Sequence, residues 1–251
     1  MKIRNALIAA AMLAAVPISA SALSVSLFEG PTSGGAQVFA TDQLVINLTP
    51  FPSDLNPTAG ILNFDFETTN YSGTITAQTI NTGTTAELIV TGLVTSLDTR
   101  PTGVALTIVA SDTGYQLPFE NLAVGIEGNS FENNGDSDVA MAAFFAADNN
   151  GTGGPDATSV TAAMTSDPSA ALIASGSTGS GPVNGSRPFN QLADTQFALN
   201  SIIVVDDSPM TQNGSTFFEL KTIATIPVPA PLALLLSAVA GLGFVSRKKK
   251  D

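Results

Sequence analysis

Short runs of alternating apolar and polar residues, separated by turn-forming residues, constrain the fold more than any other feature of this sequence. In residues 61–66, the apolar side chains of Leu62, Phe64 and Phe66 alternate with an asparagine and an aspartate. Successive side chains of a β-strand point to opposite faces, so the three apolar residues would share one face. The pattern predicts a strand with one buried face.

The same pattern recurs along the chain, where runs rich in β-branched and apolar residues are bounded by Gly, Pro, Asn, Asp and Thr. Such runs are typical of strands and turns. Residues 139–146 fit a helix or a strand equally well, because they combine strong helix formers with no alternation. About ten strands at this spacing predict an all-β fold, an antiparallel β-sandwich of jelly-roll or immunoglobulin-like type. The other predicted strands are residues 24–28, 44–48, 61–66, 74–80, 86–94, 104–110, 122–126, 198–205 and 217–226.

One long segment departs from this pattern. Residues 148–187 are dominated by Gly, Ser, Thr, Ala and Pro, a composition typical of flexible segments. We expect a mobile surface loop there, or alternatively a boundary between two subdomains. The stretch 23–225 is long enough for one domain with a sizeable core, which we prefer to two small domains.

The N-terminus has the features of a secretory signal peptide. A cationic start is followed by an eleven-residue apolar run and by the small residues Ala20 and Ala22 around a cleavage site. A buried alanine-rich helix is disfavoured, because Pro17 interrupts the run where a signal peptide has its cleavage region. We therefore predict a cleavable signal peptide over residues 1–22 and a mature chain that begins at Leu23.

The C-terminal residues 226–251 contain a proline-rich segment, an uncharged apolar run and a basic end. We predict a membrane helix over residues 231–246. Its uncharged part, residues 232–245, would cover roughly 21 Å as a helix, which is less than the bilayer core of about 30 Å. A basic cluster at the end of such a helix stays on the cytoplasmic side, so the preceding domain would lie outside the cytoplasm. The cluster consists of Arg247, Lys248, Lys249 and Lys250.

The proline-rich segment resembles a known sorting signal. Ile226, Pro227, Val228, Pro229 and Ala230, followed by the apolar run and the basic end, resemble the VPLPA-type C-terminal signals. These signals are relatives of the PEP-CTERM signals of Gram-negative bacteria. Two positions depart from the named motif, isoleucine for its valine and valine for its leucine, and both keep a branched apolar side chain. An ordinary weak membrane anchor and a buried helix are the alternatives, of which the buried helix is disfavoured because the run is apolar on all sides.

The resemblance implies a route out of the cell. In that family the membrane protease-transpeptidase exosortase acts near the motif, removes the helix and the basic end, and releases or re-attaches the exported protein. The implied partners are exosortase and the secretion translocon, and the inner membrane would hold the protein transiently. The implied destination is the cell surface or the extracellular matrix of bacteria that make exopolysaccharide and biofilm. The resemblance covers the C-terminal tail alone and implies nothing about the fold of the rest.

The predicted mature body is strongly acidic. Over residues 23–225 the three cations Arg100, Arg187 and Lys221 stand against twenty Asp and Glu residues, which gives a formal charge of −17. This charge repels nucleic acid and anionic lipid. It suits a protein that stays soluble outside the cell or one that gathers divalent cations.

The sequence contains no His and no Cys, which excludes a Ser-His-Asp triad, a Cys-His pair, thiolate zinc sites and iron–sulfur clusters. The acids still allow paired carboxylates for glycoside hydrolysis. There is no Trp, and Tyr71 and Tyr115 are the two tyrosines, so aromatic platforms for sugars or bases are scarce. We predict that the protein is not an enzyme. Seven phenylalanines are expected in the core rather than in a ligand site: Phe64, Phe66, Phe144, Phe145, Phe197, Phe217 and Phe218.

Two acidic segments rich in Asn and Gly form the candidate metal site. Their carboxylates belong to Glu132, Asp136, Asp138, Asp148 and Asp156. Calcium takes about six to eight oxygen ligands, and Asp and Asn around Gly can wrap carboxylate, amide and backbone oxygens about one ion. The spacing is not that of an EF-hand loop, and turns are built from the same residues. We favour solvated turns over a weak calcium site and expect no other cofactor.

Three functions are therefore open. The preferred one is an exported cell-envelope or extracellular-matrix structural protein, associated with biofilm or exopolysaccharide and processed by exosortase. The second is a calcium- or carbohydrate-binding adhesion module. The third, less favoured, is a carboxylate-dependent glycosidase, which would need a cleft with two facing acids.

Overall fold

The computed structural model of the protein describes residues 23–29, 38–41, 54–56, 58–97, 104–118, 121–133, 138–147, 149, 170–177, 182–192, 195–206 and 214–227. These residues form strands and connections, and no helix occurs among them. The strands are β1 (Ser24–Glu29), β2 (Val38–Thr41), β3 (Ile61–Glu67), β4 (Tyr71–Asn81), β5 (Thr85–Ser96), β6 (Leu106–Gln116), β7 (Asn121–Asn133), β8 (Asp138–Ala146), β9 (Ala170–Ser177), β10 (Val183–Asn190), β11 (Gln196–Asp206) and β12 (Ser215–Thr225).

The strands form two six-stranded sheets in which hydrogen-bonded neighbours are antiparallel. Sheet I has the order β2-β1-β6-β11-β8-β9, and sheet II has the order β10-β7-β12-β5-β4-β3. One hydrophobic core contains residues of both sheets. For the described residues the all-β prediction is confirmed, and the two sheets form the predicted antiparallel β-sandwich.

Sheet II starts from three consecutive strands, and most later connections cross between the sheets. Strands β3, β4 and β5 follow one another as a meander. In the turn between β4 and β5, Gly83 has a φ of 79° and its N–H bonds to the side chain of Asn81 at 3.1 Å. Glycine suits this left-handed conformation because it lacks a Cβ. After β5, each connection crosses between the sheets except the one from β8 to β9, which are paired neighbours in sheet I. Strand β12 lies between β5 and β7 in sheet II.

Strict alternation in sheet II explains its inner face. In β5, Ala86, Leu88, Val90, Gly92 and Val94 are buried, while the residues between them are at least partly exposed. Each large aliphatic side chain removed from water in this way contributes about 1.5–3 kcal/mol to the hydrophobic stabilisation. The core is closed at one end by the fully buried Tyr71, whose hydroxyl donates to the carbonyl of Val104.

Sheet I differs from sheet II because its central strands are buried on both faces. Every residue of β11 from Phe197 to Ile203 is buried. A second apolar cluster, formed by Phe28, Val109, Phe144 and Ile202, lies on the face of sheet I that points away from sheet II. On this face Ser111 donates a buried 2.7 Å hydrogen bond to the side chain of Asn200. The exposed polar face of the sandwich therefore belongs to sheet II.

Two stretches of the predicted loop 148–187 are strands, so the loop prediction is wrong for them. Strand β9 pairs with β8, and β10 pairs with β7 over eight residue positions. The edges of the two sheets are joined here, because Arg187 Nη1 donates to the carbonyl of Leu172 at 2.7 Å. These strands form through pairing with distant parts of the chain, which overrides the weak β-propensity of Gly, Ser and Ala.

Residues 139–146, for which helix and strand were both considered, form β8. Strand β2 was not predicted, and the predicted strand at 44–48 lies outside the described residues. The predicted membrane helix 231–246 also lies outside them. Within the described ranges no helix is long and apolar enough to span a membrane.

Candidate functional site

The outer face of sheet II exposes a row of three large apolar side chains, which we call the aromatic patch. Phe217 on β12 pairs with Phe131 on β7 and with Leu93 on β5. Phe131 is 64% exposed, Phe217 38% and Leu93 49%. The two rings lie 6.3 Å apart between centroids, tilted by 33°. Single exposed apolar residues are common, but a contiguous row on a polar sheet face is a candidate contact surface.

The exposure of Phe217 corrects the prediction that it belongs to the core. The other six phenylalanines of that group are buried. Phe217 lies on the same face of β12 as Glu219 and Lys221, whereas Phe218 shares a face with the buried Leu220. This alternation was the signal in the sequence that distinguishes the two neighbouring phenylalanines. Phe131 was not among the predicted site residues either, although its position in β7 puts it on the same face as Glu127 and Asn129, as Phe217 is with Glu219 and Lys221.

A groove of about 540 Å³ lies beside the aromatic patch. The register of β10, β7 and β12 places outward-pointing residues of the three strands side by side along this groove. Asn184 pairs with Glu127 and Glu127 with Lys221, while Asn129 pairs with Glu219 one row closer to the patch. The polar and aromatic side chains that line it are those of Glu127, Asn129, Phe131, Asn184, Glu219 and Lys221.

The groove has an acidic balance. Lys221 Nζ lies 3.0 Å from Glu87 Oε2 in a partly exposed ion pair. Glu127 and Glu219 are exposed, and in the described part of the chain neither takes part in an ion pair. The charge of the Lys221 ammonium group is thus balanced by Glu87, and the carboxylates of Glu127 and Glu219 face the solvent above the groove. They are available to accept hydrogen bonds or to meet a cation.

This arrangement suits binding better than proton transfer. An aromatic ring next to amide and carboxylate groups offers a flat apolar surface together with hydrogen-bonding partners, which is the usual make-up of a ligand site. Glycoside hydrolysis needs one carboxyl group held in an apolar, water-poor environment as the acid. Glu127 and Glu219 instead lie on an open sheet face.

A titratable group with a strongly perturbed pKa lies elsewhere, in the core. Tyr115 is 3% exposed; its hydroxyl donates to the carbonyl of Glu87 at 2.8 Å and lies 2.8 Å from the Thr79 hydroxyl. Its pKa is raised well above the ordinary value of 10.0, first because burial disfavours the phenolate and then because the buried Asp112 is close. The ring stacks on Phe197 at 5.6 Å. Tyr115 is therefore a neutral structural group.

The predicted processing residues flank the fold. Leu23 is completely buried just before β1, whereas Ala20 and Ala22 lie outside the described residues. Ile226 packs against the core, and its N–H donates to the carbonyl of Thr84 at 3.2 Å. Pro227 is exposed. The remaining predicted processing residues lie outside the described ranges: Val228, Pro229, Ala230, Arg247, Lys248, Lys249 and Lys250.

The predicted calcium ligands fall largely outside the described structure. Glu132 lies in β7 and Asp138 is the first residue of β8. Asp136, Asp148 and Asp156 are not among the described residues. Those residues that are described contain no group of three acidic side chains placed to hold a metal ion. Calcium binding stays a prediction that titration calorimetry of the protein with millimolar calcium would test.

No family model and no curated protein sequence matches this chain. Among solved structures, the chain is similar to TmCBM61 in complex with beta-1,4-galactotriose, with 10% identity and a TM-score of 0.24 over 62% of this chain and 87% of that one. It is also similar to the enzymatically active domain of tailspike protein 4 of bacteriophage CBA120, with 11% identity and a TM-score of 0.21. That match covers 80% of this chain and 18% of the tailspike chain.

Proposed function

We propose that this protein is an exported component of the bacterial cell envelope or extracellular matrix, and that its β-sandwich binds polysaccharide through the groove and the aromatic patch of sheet II. The observation that carries the proposal is the exposed pair of Phe131 and Phe217 beside a groove lined by amides and carboxylates. Sugar rings combine apolar faces with a rim of hydroxyl groups, and this surface offers partners for both.

The geometry defines how such a ligand would lie. Neighbouring strands are about 4.8 Å apart, so the row formed by Phe131, Phe217 and Leu93 extends roughly 10 Å across three strands. A ring face would stack on Phe131, while hydroxyl groups would donate to Glu219 and exchange hydrogen bonds with the amides of Asn129 and Asn184. The length of the row favours a chain of sugars over a single sugar. A rigid sheet holds these groups in place without a conformational change.

Binding should be tested with the purified full chain on a polysaccharide panel that includes the exopolysaccharide of the source bacterium. Each ring that stacks on the ligand should contribute about 1–3 kcal/mol, which corresponds to roughly 5- to 150-fold in affinity. The Phe131→Ala/Phe217→Ala variant should therefore bind at least about 5-fold more weakly. Leu192→Ala, which shortens a side chain that is 72% exposed outside the patch, is the matched control. The proposal fails if no polysaccharide binds, or if the double variant binds as well as the control.

The proposed location rests on the two ends of the sequence. The translocon would export the chain, and exosortase would act on the motif that begins at Ile226, directly after the last strand. The inner membrane would anchor the protein only until this cut. Intact masses of the protein from membranes and from culture medium, with and without the exosortase gene, test this route. A tail that stays intact in the inner membrane would show that the sorting proposal is wrong.

A further inference from the structure

Among the described residues on the outer face of sheet II, acidic side chains outnumber basic ones. Asp65, Glu67, Glu127 and Glu219 are exposed on this face, and Glu87 is half-buried. The one described cation on this face is Lys221, which is paired with Glu87. The other cation in the described part of the chain, Arg187, lies over the ring of Phe189 at 4.9 Å and bonds to the carbonyl of Leu172. Among the described residues, the cation that lines the groove is therefore Lys221, and it is already paired with a carboxylate.

We propose that the polysaccharide bound at the groove carries free amino groups, as a polymer of unacetylated amino sugars does. This inference rests on the proposed polysaccharide-binding function and adds the chemical class of the ligand. Charge complementarity carries it, because two unpaired carboxylates line a groove whose ammonium group is already neutralised. An anionic polymer, rich in uronic acid or sulfate, would bring like charge against both carboxylates.

The register places the two carboxylates where one ligand chain meets both. Glu127 of β7 lies opposite Lys221 of β12, and Glu219 of β12 lies opposite Asn129 of β7. The two glutamates are therefore diagonal neighbours on adjacent strands. Such diagonal neighbours are about 7–8 Å apart. Carboxylates on long Glu side chains can therefore contact ammonium groups on one polymer. Phe131 borders the same groove, so a sugar ring and its amino group are recognised side by side.

The ligand test compares two forms of one polymer, poly-glucosamine with free amines and the same polymer fully N-acetylated, with a polyuronate as the third probe. At low salt the full chain should bind the free-amine form at least tenfold more tightly than the acetylated form. This preference should shrink from 0.1 M to 1 M salt, because the Debye length falls from about 10 Å to about 3 Å. The polyuronate should bind most weakly.

The protein test separates the groove from the overall negative charge. Glu127→Gln and Glu219→Gln together should bring the affinity for the free-amine polymer down to that for the acetylated polymer. Glu67→Gln removes the same kind of charge at the far edge of the sheet, on β3, and should leave the affinity unchanged. Circular dichroism checks that each variant is folded, which is expected because all three side chains are exposed.

Distinct results overturn the two proposals. Equal affinity for free-amine and acetylated polymers, with loss of both in the Phe131→Ala/Phe217→Ala variant, would refute the amino-sugar inference and leave polysaccharide binding intact. Tightest binding of the polyuronate, with or without calcium, would refute it as well. A polycation attracted only by the net charge of the protein would bind the double phenylalanine variant unchanged, which would refute both proposals. So would the absence of binding to every polymer.

Discussion

Replacing Gly92 by alanine should destabilise the sandwich, because the ring of Phe218 occupies the space that a side chain would need. Gly92 lies on the inner face of β5 and pairs with Phe218 on β12. A Cβ at this position would lie 2.4 Å from Phe218 Cζ and 2.8 Å from both Phe218 Cε1 and Ile75 Cδ1. Phe218 and Ile75 are completely buried, so neither side chain can move out into solvent.

The magnitude follows from the size of this overlap. Carbon atoms in contact are normally about 3.5–4.0 Å apart, so the ring of Phe218 would have to retreat by roughly 1 Å. Overpacking of this kind in a closely packed core costs about 1–3 kcal/mol. For a domain of 150–250 residues each kcal/mol lowers the Tm by about 2–4 °C, so the expected decrease is roughly 2–12 °C.

Urea unfolding followed by circular dichroism measures the effect, with Gly125→Ala as the matched control. Gly125 also lies in a strand of sheet II, but its nearest neighbours would be 3.4 Å and 3.6 Å from a new Cβ, which is ordinary contact. The control should be neutral or slightly stabilising, because alanine restricts the unfolded chain more than glycine does. If Gly92→Ala is as stable as Gly125→Ala, the inferred packing of Phe218 over Gly92 is wrong.

Three further outcomes are expected. Above pH 10.0 the free energy of unfolding should fall by up to about 1.4 kcal/mol per pH unit, because the unfolded state releases the Tyr115 proton while the folded state, with its raised pKa, keeps it. In urea titrations at several pH values, Tyr115→Phe should remove this contribution. If the variant shows the same dependence of unfolding free energy on pH, the explanation is wrong. Ser201→Ala should lower the free energy of unfolding by about 1–3 kcal/mol, because it leaves the buried Thr222 hydroxyl without its 2.9 Å partner in the other sheet. A double-mutant cycle with Thr222→Val tests this coupling, and strictly additive effects of the two substitutions would argue against it. Glu87→Gln should change stability by less than about 1 kcal/mol, because its ion pair with Lys221 is partly exposed. A larger loss at low salt that shrinks at high salt, where the pair is screened, would show that the pair contributes more than expected.

The sequence predicts the strands whose burial is one-sided. Residues 61–66 were predicted as a strand, and β3 spans Ile61–Glu67, because its alternation of apolar and polar residues directly reports which face is buried. The ambiguous stretch 139–146 became β8. Apolar residues occur on both faces of β8, and its second half, residues 143–146, is buried on both faces, so periodicity could not separate helix from strand.

Long-range pairing could not be read from the sequence. Strands β9 and β10 are rich in small and polar residues, a composition that predicts a loop. They are strands because β8 and β7 offer complementary edges, and because Arg187 connects them across the gap between the sheets. The order of strands in each sheet has the same origin, since β12 must be placed between two partners that lie about a hundred residues earlier in the chain.

The location of the candidate site depends on which of two neighbouring phenylalanines of β12 packs into the core. Phe217 and Phe218 are adjacent, so a strand sends one ring to each face, and a shift of register by one residue would exchange them. Gly92 leaves room for only one of these rings on the inner face, and Phe218 fills it. Phe217 is thereby directed outward against Phe131, with Glu219 and Lys221 following on the same face. The hydrophobic core thus determines where the aromatic patch lies, and a substitution that displaces Phe218 should disturb the outer face together with the inner one.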